Sequence, residues 1–295
     1  MKRFFSGLTA FCLLLTLLGA LSGCHSGSSD KSAAKATLNA VGDIFFTDAQ
    51  FRAATVNGTT DFSATMADVV PSLPTADLTV GNFEGNFFGD PYSAATASYP
   101  DAFATLLANA GFDILQTANS YTIYNGIKGV TRTKQVIEDT GMSALGSFTS
   151  NADRKNNQVV VREVNGIRFA FVGFTKGVSG MTIPDDASYC VNLLYTDYSS
   201  NYSKVNKDDI LEVLDAAKAT APDVIIACLH WGSENVSEPS ESQEEIATLM
   251  FKNGVDVILG SHSHVVSPVE RRTVTLDNGS KKNVVIAYNL GDLTA

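Results

Sequence analysis

The chain has 295 residues, 44% of them hydrophobic and 18% charged, with a formal charge of −10. Its 23 glycines and 8 prolines are too few for a collagenous or low-complexity chain, and four cysteines are too few for a disulfide scaffold. The acidic balance excludes an electrostatic nucleic-acid binder, which needs a Lys/Arg excess to neutralise phosphates.

Lys2 and Arg3 precede a mostly apolar run from Phe4 to Leu21, which ends in Leu21-Ser22-Gly23-Cys24. A basic head, a short apolar core and small residues before a break describe a secretory signal. Cys24 behind Leu-Ser-Gly resembles the lipobox of bacterial lipoproteins, in which that Cys is acylated and becomes the mature N-terminus. Residues 1–23 are therefore expected to be a signal peptide, Cys24 the lipidation site, and residues 24–36, rich in Ser, Gly and Ala, a flexible tether. The competing reading is a signal anchor that stays uncut. Removing 1–23 takes away Lys2 and Arg3 and no acid, which moves the formal charge from −10 to −12. Such an exported, lipid-anchored domain on the extracytoplasmic face stays soluble and repels polyanions. Cys190 and Cys228 are expected to be unpaired thiols.

From Ala36 onward, strand-type and helix-type segments alternate. Strands are expected at Ala36–Val41, Leu78–Phe83, Phe112–Ala118 and Met142–Leu145. Helices are expected within Asp61–Leu73, over Asp101–Ala110 with Asp101 as N-cap, and over Val130–Thr140 before Gly141. This order argues for a layered α/β domain. Gln158–Val164 and Ile167–Phe174 then flank Asn165-Gly166, a type I′ turn signal, so the sheet structure is mixed. Next come a helix over Asp208–Thr220, a buried strand at Val224–Leu229, and a helix over Ser240–Asn253 opened by a Ser240/Gln243 capping box. A strand at Val255–Leu259, another at Val265–Glu270, and a hairpin of Arg272–Leu276 with Val284–Tyr288 complete the chain. Seven residues follow the last strand, an abrupt stop that points to a C-terminally truncated domain over 37–295.

In open α/β sheets, ligands sit outside the carboxyl ends of strands. Gly42-Asp43, Asn82-Phe83-Glu84, Asn119-Ser120-Tyr121, His230-Trp231-Gly232-Ser233-Glu234 and Gly260-Ser261-His262-Ser263-His264 all occupy such places. His262 and His264 are two apart, which in extended backbone turns both imidazoles to one side. Nitrogen and oxygen donors together suit Mn, Fe or Zn better than Ca or Mg. Each residue also has an ordinary structural role open to it. A strand-end His is commonly hydrogen-bonded in place, Asp43 suits a turn or cap, Glu84 and Asn119 suit loops, and Trp231 suits packing.

At these residues the chain resembles the CapA family of capsule-synthesis proteins linked to poly-γ-glutamate. The resemblance rests on Gly42-Asp43, Asn82-x-Glu84, the Asn119 segment, His230-Trp231-Gly232-x-Glu234, Gly260-x-His262-x-His264 and Tyr288-x-Leu290-Gly291, in order from about Leu38 to Leu293. It implies an α/β fold of mixed β-sheets in a four-layer metallophosphoesterase-like sandwich with flanking helices. It implies also a centre of two divalent ions, at a surface where capsule polymer is made or exported. Carried over by position, Asp43, Glu84, Asn119, His230, His262 and His264 would face metal, and Glu234 matches a further motif acid. The third motif departs: the family reads Asn-Asn-His with an Asp three residues on, whereas this chain has Asn119-Ser120-Tyr121 and Tyr124. Tyr121 stands where the family's His helps protonate a leaving oxygen, and a phenol near pKa 10 is a poorer acid at neutral pH.

Two functions follow from this pattern. One is a tethered metal-dependent hydrolase, with Tyr121 and Glu234 as catalytic candidates, acting on a phosphoester or a polymer amide. The other is a non-catalytic component that binds the capsule polymer, or its membrane synthesis machinery, through a degenerate site.

Overall fold

A computed structural model describes residues 34–294. The expected signal peptide, the Cys24 lipidation site and most of the tether lie outside the described residues.

Four parallel strands form one sheet in the order β1-β4-β5-β6. They are β1 (Leu38–Ile44), β4 (Leu78–Phe83), β5 (Ile114–Gln116) and β6 (Ser143–Leu145). Between β1 and β4 a small antiparallel ribbon pairs β2 (Thr55–Val56) with β3 (Thr59–Thr60). The second sheet has six strands in the order β11-β12-β10-β9-β8-β7. Its members are β7 (Val160–Val164), β8 (Ile167–Thr175), β9 (Val224–His230), β10 (Val257–Ser261), β11 (Val269–Thr275) and β12 (Lys281–Ala287). The strands β8, β9, β10 and β12 run parallel, and the two hairpin partners β7 and β11 close the edges antiparallel.

Side-chain alternation shows how the sheets stack. In β8, Phe169 and Phe171 point one way and Ala170, Val172 and Phe174 the other. Phe169 and Phe171 meet Leu78, Val80, Ile114 and Leu145 of the four-stranded sheet, so this apolar layer lies between the sheets. The other face packs on Ile210, Val213 and Leu214 of a helix over Lys207–Ala219 and on Ile246, Met250 and Phe251 of one over Glu241–Lys252. The outer face of the four-stranded sheet is covered by helices over Asp48–Ala54, Ser63–Val69, Asp101–Asn109 and Gly126–Asp139, through Phe51, Met66, Phe103 and Ile137. A further helix spans Asn151–Asn157. Numbered in chain order, these helices are α1 (Asp48–Ala54), α2 (Ser63–Val69), α3 (Asp101–Asn109), α4 (Gly126–Asp139), α5 (Asn151–Asn157), α6 (Lys207–Ala219) and α7 (Glu241–Lys252). The layers run helix, sheet, sheet, helix, which is the four-layer sandwich expected. Each large side chain closed between layers contributes roughly 1.5–3 kcal/mol of burial.

Local chemistry follows the sequence in most places. Asn165 and Gly166 adopt φ of 53° and 78°, as a type I′ turn requires. Ser240 caps α7 in a reciprocal box with Gln243. Cys190 and Cys228 are both free and buried. Some expectations need correction. The N-cap of α3 is Pro100, and Asp101 sits in the first turn, where it makes a bidentate contact with Arg132 at 2.7 and 2.8 Å. The strands expected at Val265–Glu270 and Arg272–Leu276 are one continuous strand, β11, which begins only at Val269, directly after Pro268, whose missing N–H cannot join the ladder. The helices α1 and α5 were not foreseen. Each is only seven residues long, too short for a clear periodicity, and is held by a cap: Thr47 with Gln50 for α1, and Ser150 accepting from the Asp153 N–H for α5.

Candidate metal centre

Strands from both sheets end at one place. Asp43 lies in β1 just past an irregularity in its pairing with β4, and its N–H donates to the Gly291 carbonyl at 2.8 Å. Glu84 follows β4, the Asn119–Tyr121 segment follows β5, His230 ends β9, and His262 and His264 follow β10. Two glycines allow this convergence. A Cβ on Gly42 would lie 1.7 Å from the Gly291 oxygen, and one on Gly260 would lie 1.9 Å from the Tyr288 oxygen. Only a residue without a side chain lets these backbones approach so closely.

Glu84 is the centre of the cluster. Its Oε1 lies 3.1 Å from His230 Nε2, and its Oε2 lies 3.7 Å from His264 Nε2. Two groups of potential ligands share it: Glu84, His230 and His262, and Asp43, Glu84 and His264, each with donor atoms within 4.8 Å of one another. Asp43 accepts from Asn82 Nδ2 at 2.6 Å and from the His262 N–H at 2.9 Å. The His230 and His262 rings are 4.5 Å apart between centroids. Glu84 Oε2 and His262 Nδ1 are buried without a hydrogen-bond partner.

Burial dominates the protonation of this cluster. It raises the Asp43 carboxyl to about 6, with the Glu84 charge adding to the rise, and raises Glu84 to about 8. It lowers His230 to about 4 and His262 to about 2, the latter helped by the neighbouring His230 charge. At neutral pH the His230 ring is therefore uncharged, and its contact with Glu84 is not an ion pair. His264 moves the other way, up to about 9, because its Nδ1 lies 2.7 Å from Asp292 Oδ1. Carboxyls and imidazoles that are both driven toward neutrality, with two orphaned buried donor atoms, make a site that a divalent cation would complete.

The structure brings Asp43, Glu84, His230, His262 and His264 together. It does so by a route the sequence did not suggest for the His pair. His262 and His264 have φ of 102° and 58°, so the backbone leaves the strand at Ser261 and is not extended between them. Asn119 braces the site from behind: Nδ2 donates to Phe83 O at 2.7 Å and to Asn82 Oδ1 at 3.1 Å, and Oδ1 accepts from the Tyr121 N–H at 3.0 Å. Tyr121 lies half-buried at the rim, stacked on Phe45 with centroids 6.2 Å apart, and burial pushes its phenol up to about 12. Glu234 stands apart from the buried cluster, exposed on the wall of a cleft of about 250 Å³ that reaches Ser120 and His262. Trp231 is packing: it is fully buried, with Nε1 donating to Tyr288 O at 2.9 Å.

The family model of the bacterial capsule synthesis protein PGA_cap matches residues 37–295. This chain belongs to that family. The capsule biosynthesis protein CapA of Bacillus anthracis is 27% identical over 234 residues, covering 76% of this chain and 52% of that protein. The PGA biosynthesis protein CapA of Bacillus subtilis (strain 168) is 26% identical over 229 residues, covering 76% and 54%. The chain thus spans about half the length of the curated relatives it matches. Among solved structures, the calcineurin-like phosphoesterase YfkN from Bacillus subtilis is similar with a TM-score of 0.46 and 14% identity, over 86% of this chain and 90% of that one.

Asn82, Ser120 and Ser261 of this PGA_cap member stand in the strand-end segments read from the sequence, which gave them no role, and Lys176 was not singled out at all. Asn82 links Asp43, Asn119 and His230. Ser120 Oγ lies 3.0 Å from His230 Nε2, and Ser261 Oγ lies 3.1 Å from His230 Nδ1. Lys176, at the cleft, follows β8. Applying the strand-end rule to β8, as to the other strands, would have found it.

Proposed function

We propose that this chain acts in the synthesis or export of a poly-γ-glutamate capsule, held by a lipid on Cys24 at the extracytoplasmic face of the membrane. It does so as a metal-dependent hydrolase of a phosphoester or an amide of the polymer. Asp43, Glu84, His230, His262 and His264 would hold two divalent ions, Glu84 being the residue that the two candidate ligand groups share. The observation that carries this reading is the pair of buried donor atoms without partners, Glu84 Oε2 and His262 Nδ1, inside overlapping ligand groups. When bound, the ions supply Lewis acidity at the scissile oxygen and neutralise developing negative charge. The chain's own residues set the stage for that. Asn82 and the His262 N–H orient Asp43, Ser120 and Ser261 orient the His230 ring, and Asp292 fixes the tautomer of His264.

The test is elemental analysis of protein purified without added metal, repeated on a His262→Ala/His264→Ala variant, with turnover of model phosphoesters. Two ions per chain, lost in the variant, with metal-dependent turnover, is the expected result. Correctly folded protein without metal and without turnover would end the proposal.

One observation favours a second reading, in which the site binds polymer or partner without cleaving it. Tyr121 stands where the resembling family carries His, and its phenol is pushed up to about 12. A group so weakly acidic keeps its proton at neutral pH and protonates a leaving group poorly. Polymer binding that vanishes with chelator, with hydrolysis appearing only in Tyr121→His, would select this reading.

A further inference from the structure

Beside the candidate metal centre, the cleft of about 250 Å³ carries one fixed cation and one exposed acid. Lys176 is anchored by its backbone N–H, which donates to the His230 carbonyl at 2.8 Å, and by Nζ, which donates to the Gly232 carbonyl at 2.6 Å. The ammonium also lies 4.5 Å from the centroid of the Tyr202 ring. Among the described residues no carboxylate lies within 4.0 Å of it. One of its three N–H bonds is used, which leaves two for a ligand. Burial lowers the affinity of this amine for its proton, the signature of a cation held where water is scarce.

Glu234 lines the same cleft, exposed and beyond 4.0 Å of the Lys176 ammonium, though its charge still acts on that amine and favours its protonation. Its loop is fixed to the metal-centre segment by the Asn235 N–H, which donates to the Ser263 carbonyl at 2.8 Å. A polyanion would find one cation there and be repelled by the acid. A small group carrying one negative and one positive charge would satisfy both. The volume falls below the ~300–1,000 Å³ of a drug-sized site, so one terminal residue fits better than a stretch of polymer.

We propose that this cleft receives the amino-terminal residue of a glutamyl chain as a zwitterion, its α-carboxylate on Lys176 and its α-ammonium against Glu234. The next bond of the chain then lies in the part of the cleft lined by Ser120 and His262, the side that borders the candidate metal centre. This rests on the proposed polymer function and narrows it: the site works from the amine end of the chain and not along its interior.

Equilibrium dialysis of labelled γ-glutamylglutamate against the full chain tests this, with chelator present so that turnover does not intrude. Removing one charged partner costs about tenfold in affinity. N-acetylation of the dipeptide, or amidation of the α-carboxylate of its first residue, should therefore each weaken binding about tenfold. Lys176→Met should abolish the effect of amidation and leave that of acetylation, and Glu234→Gln should do the reverse. Glu234 is exposed, so its variant tests the proposal even if Lys176→Met fails to fold. Free glutamate binding as tightly as the dipeptide would assign the cleft to a free amino acid and overturn the chain-end proposal. Absence of dipeptide binding, or equal binding of the free, acetylated and amidated dipeptides, would also overturn it. Loss of hydrolysis with this discrimination intact would defeat the proposed catalysis and leave the zwitterion site standing.

Discussion

Asp292 Oδ1 lies 2.7 Å from His264 Nδ1, which leaves the other ring nitrogen of His264 facing Glu84. The bond holds a proton on Nδ1 and leaves Nε2 as the nitrogen that gives up its proton to serve as a ligand. Asp292→Asn should therefore weaken metal affinity by about 10–100-fold without unfolding the chain. Titration of metal-free protein with Mn²⁺ or Zn²⁺ measures this, and an unchanged affinity would remove His264 from the ligand set.

Glu84 belongs to both ligand groups, whereas His262 and His264 belong to one each. Glu84→Gln should abolish binding of both ions, and each single His→Ala variant should retain one. Metal-to-protein ratios by elemental analysis distinguish these outcomes. Equal stoichiometry in all three variants would show that Glu84 is not shared.

The metal-free chain should lose stability between pH 7 and pH 9. In the folded state Glu84 is raised by burial to about 8 and His264 is raised by Asp292 to about 9. The unfolded chain releases those protons at lower pH, so the folded state binds more protons in this window and its stability falls as pH rises. Asp43, His230 and His262, at about 6, 4 and 2, titrate below the window. Thermal midpoints measured with chelator should drop from pH 7 to pH 9, and saturating divalent metal should flatten the drop. A chelated midpoint that stays level or rises would contradict the burial argument.

Gly260→Ala should destabilise by about 3 kcal/mol or more, because its Cβ would overlap the Tyr288 carbonyl and neither backbone can move freely. Gly279→Ala, at φ 81° with open space around it, should cost only about 1–2 kcal/mol. Urea unfolding of the two variants provides the comparison, and equal costs would refute it.

Ser240→Ala removes one half of the capping box on α7. A loss of about 1 kcal/mol in urea unfolding is expected. No change would mean that water replaces the hydroxyl at the Gln243 N–H.

Most of the order of elements, the β7–β8 and β11–β12 hairpins and the α7 cap were legible in the sequence, because periodicity, Asn-Gly turns and capping residues act over a few neighbouring positions; the short helices α1 and α5 and the β2–β3 ribbon were not. The strand-end rule found Asp43, Glu84, His230, His262 and His264 for a similar reason: each stands directly behind or at the end of an apolar run. What only the tertiary structure decided is how they meet. The left-handed turn at His262 and His264 forms because Gly260 lets β10 press against Tyr288 while Asp43 accepts from the His262 N–H. The bracing by Asn82, the grip of Asp292 on His264 and the place of Lys176 beside His230 join residues from distant parts of the chain. Burial, which sets the protonation of Asp43, Glu84, His230 and His262, is a property of the packed layers and has no local sign in the sequence.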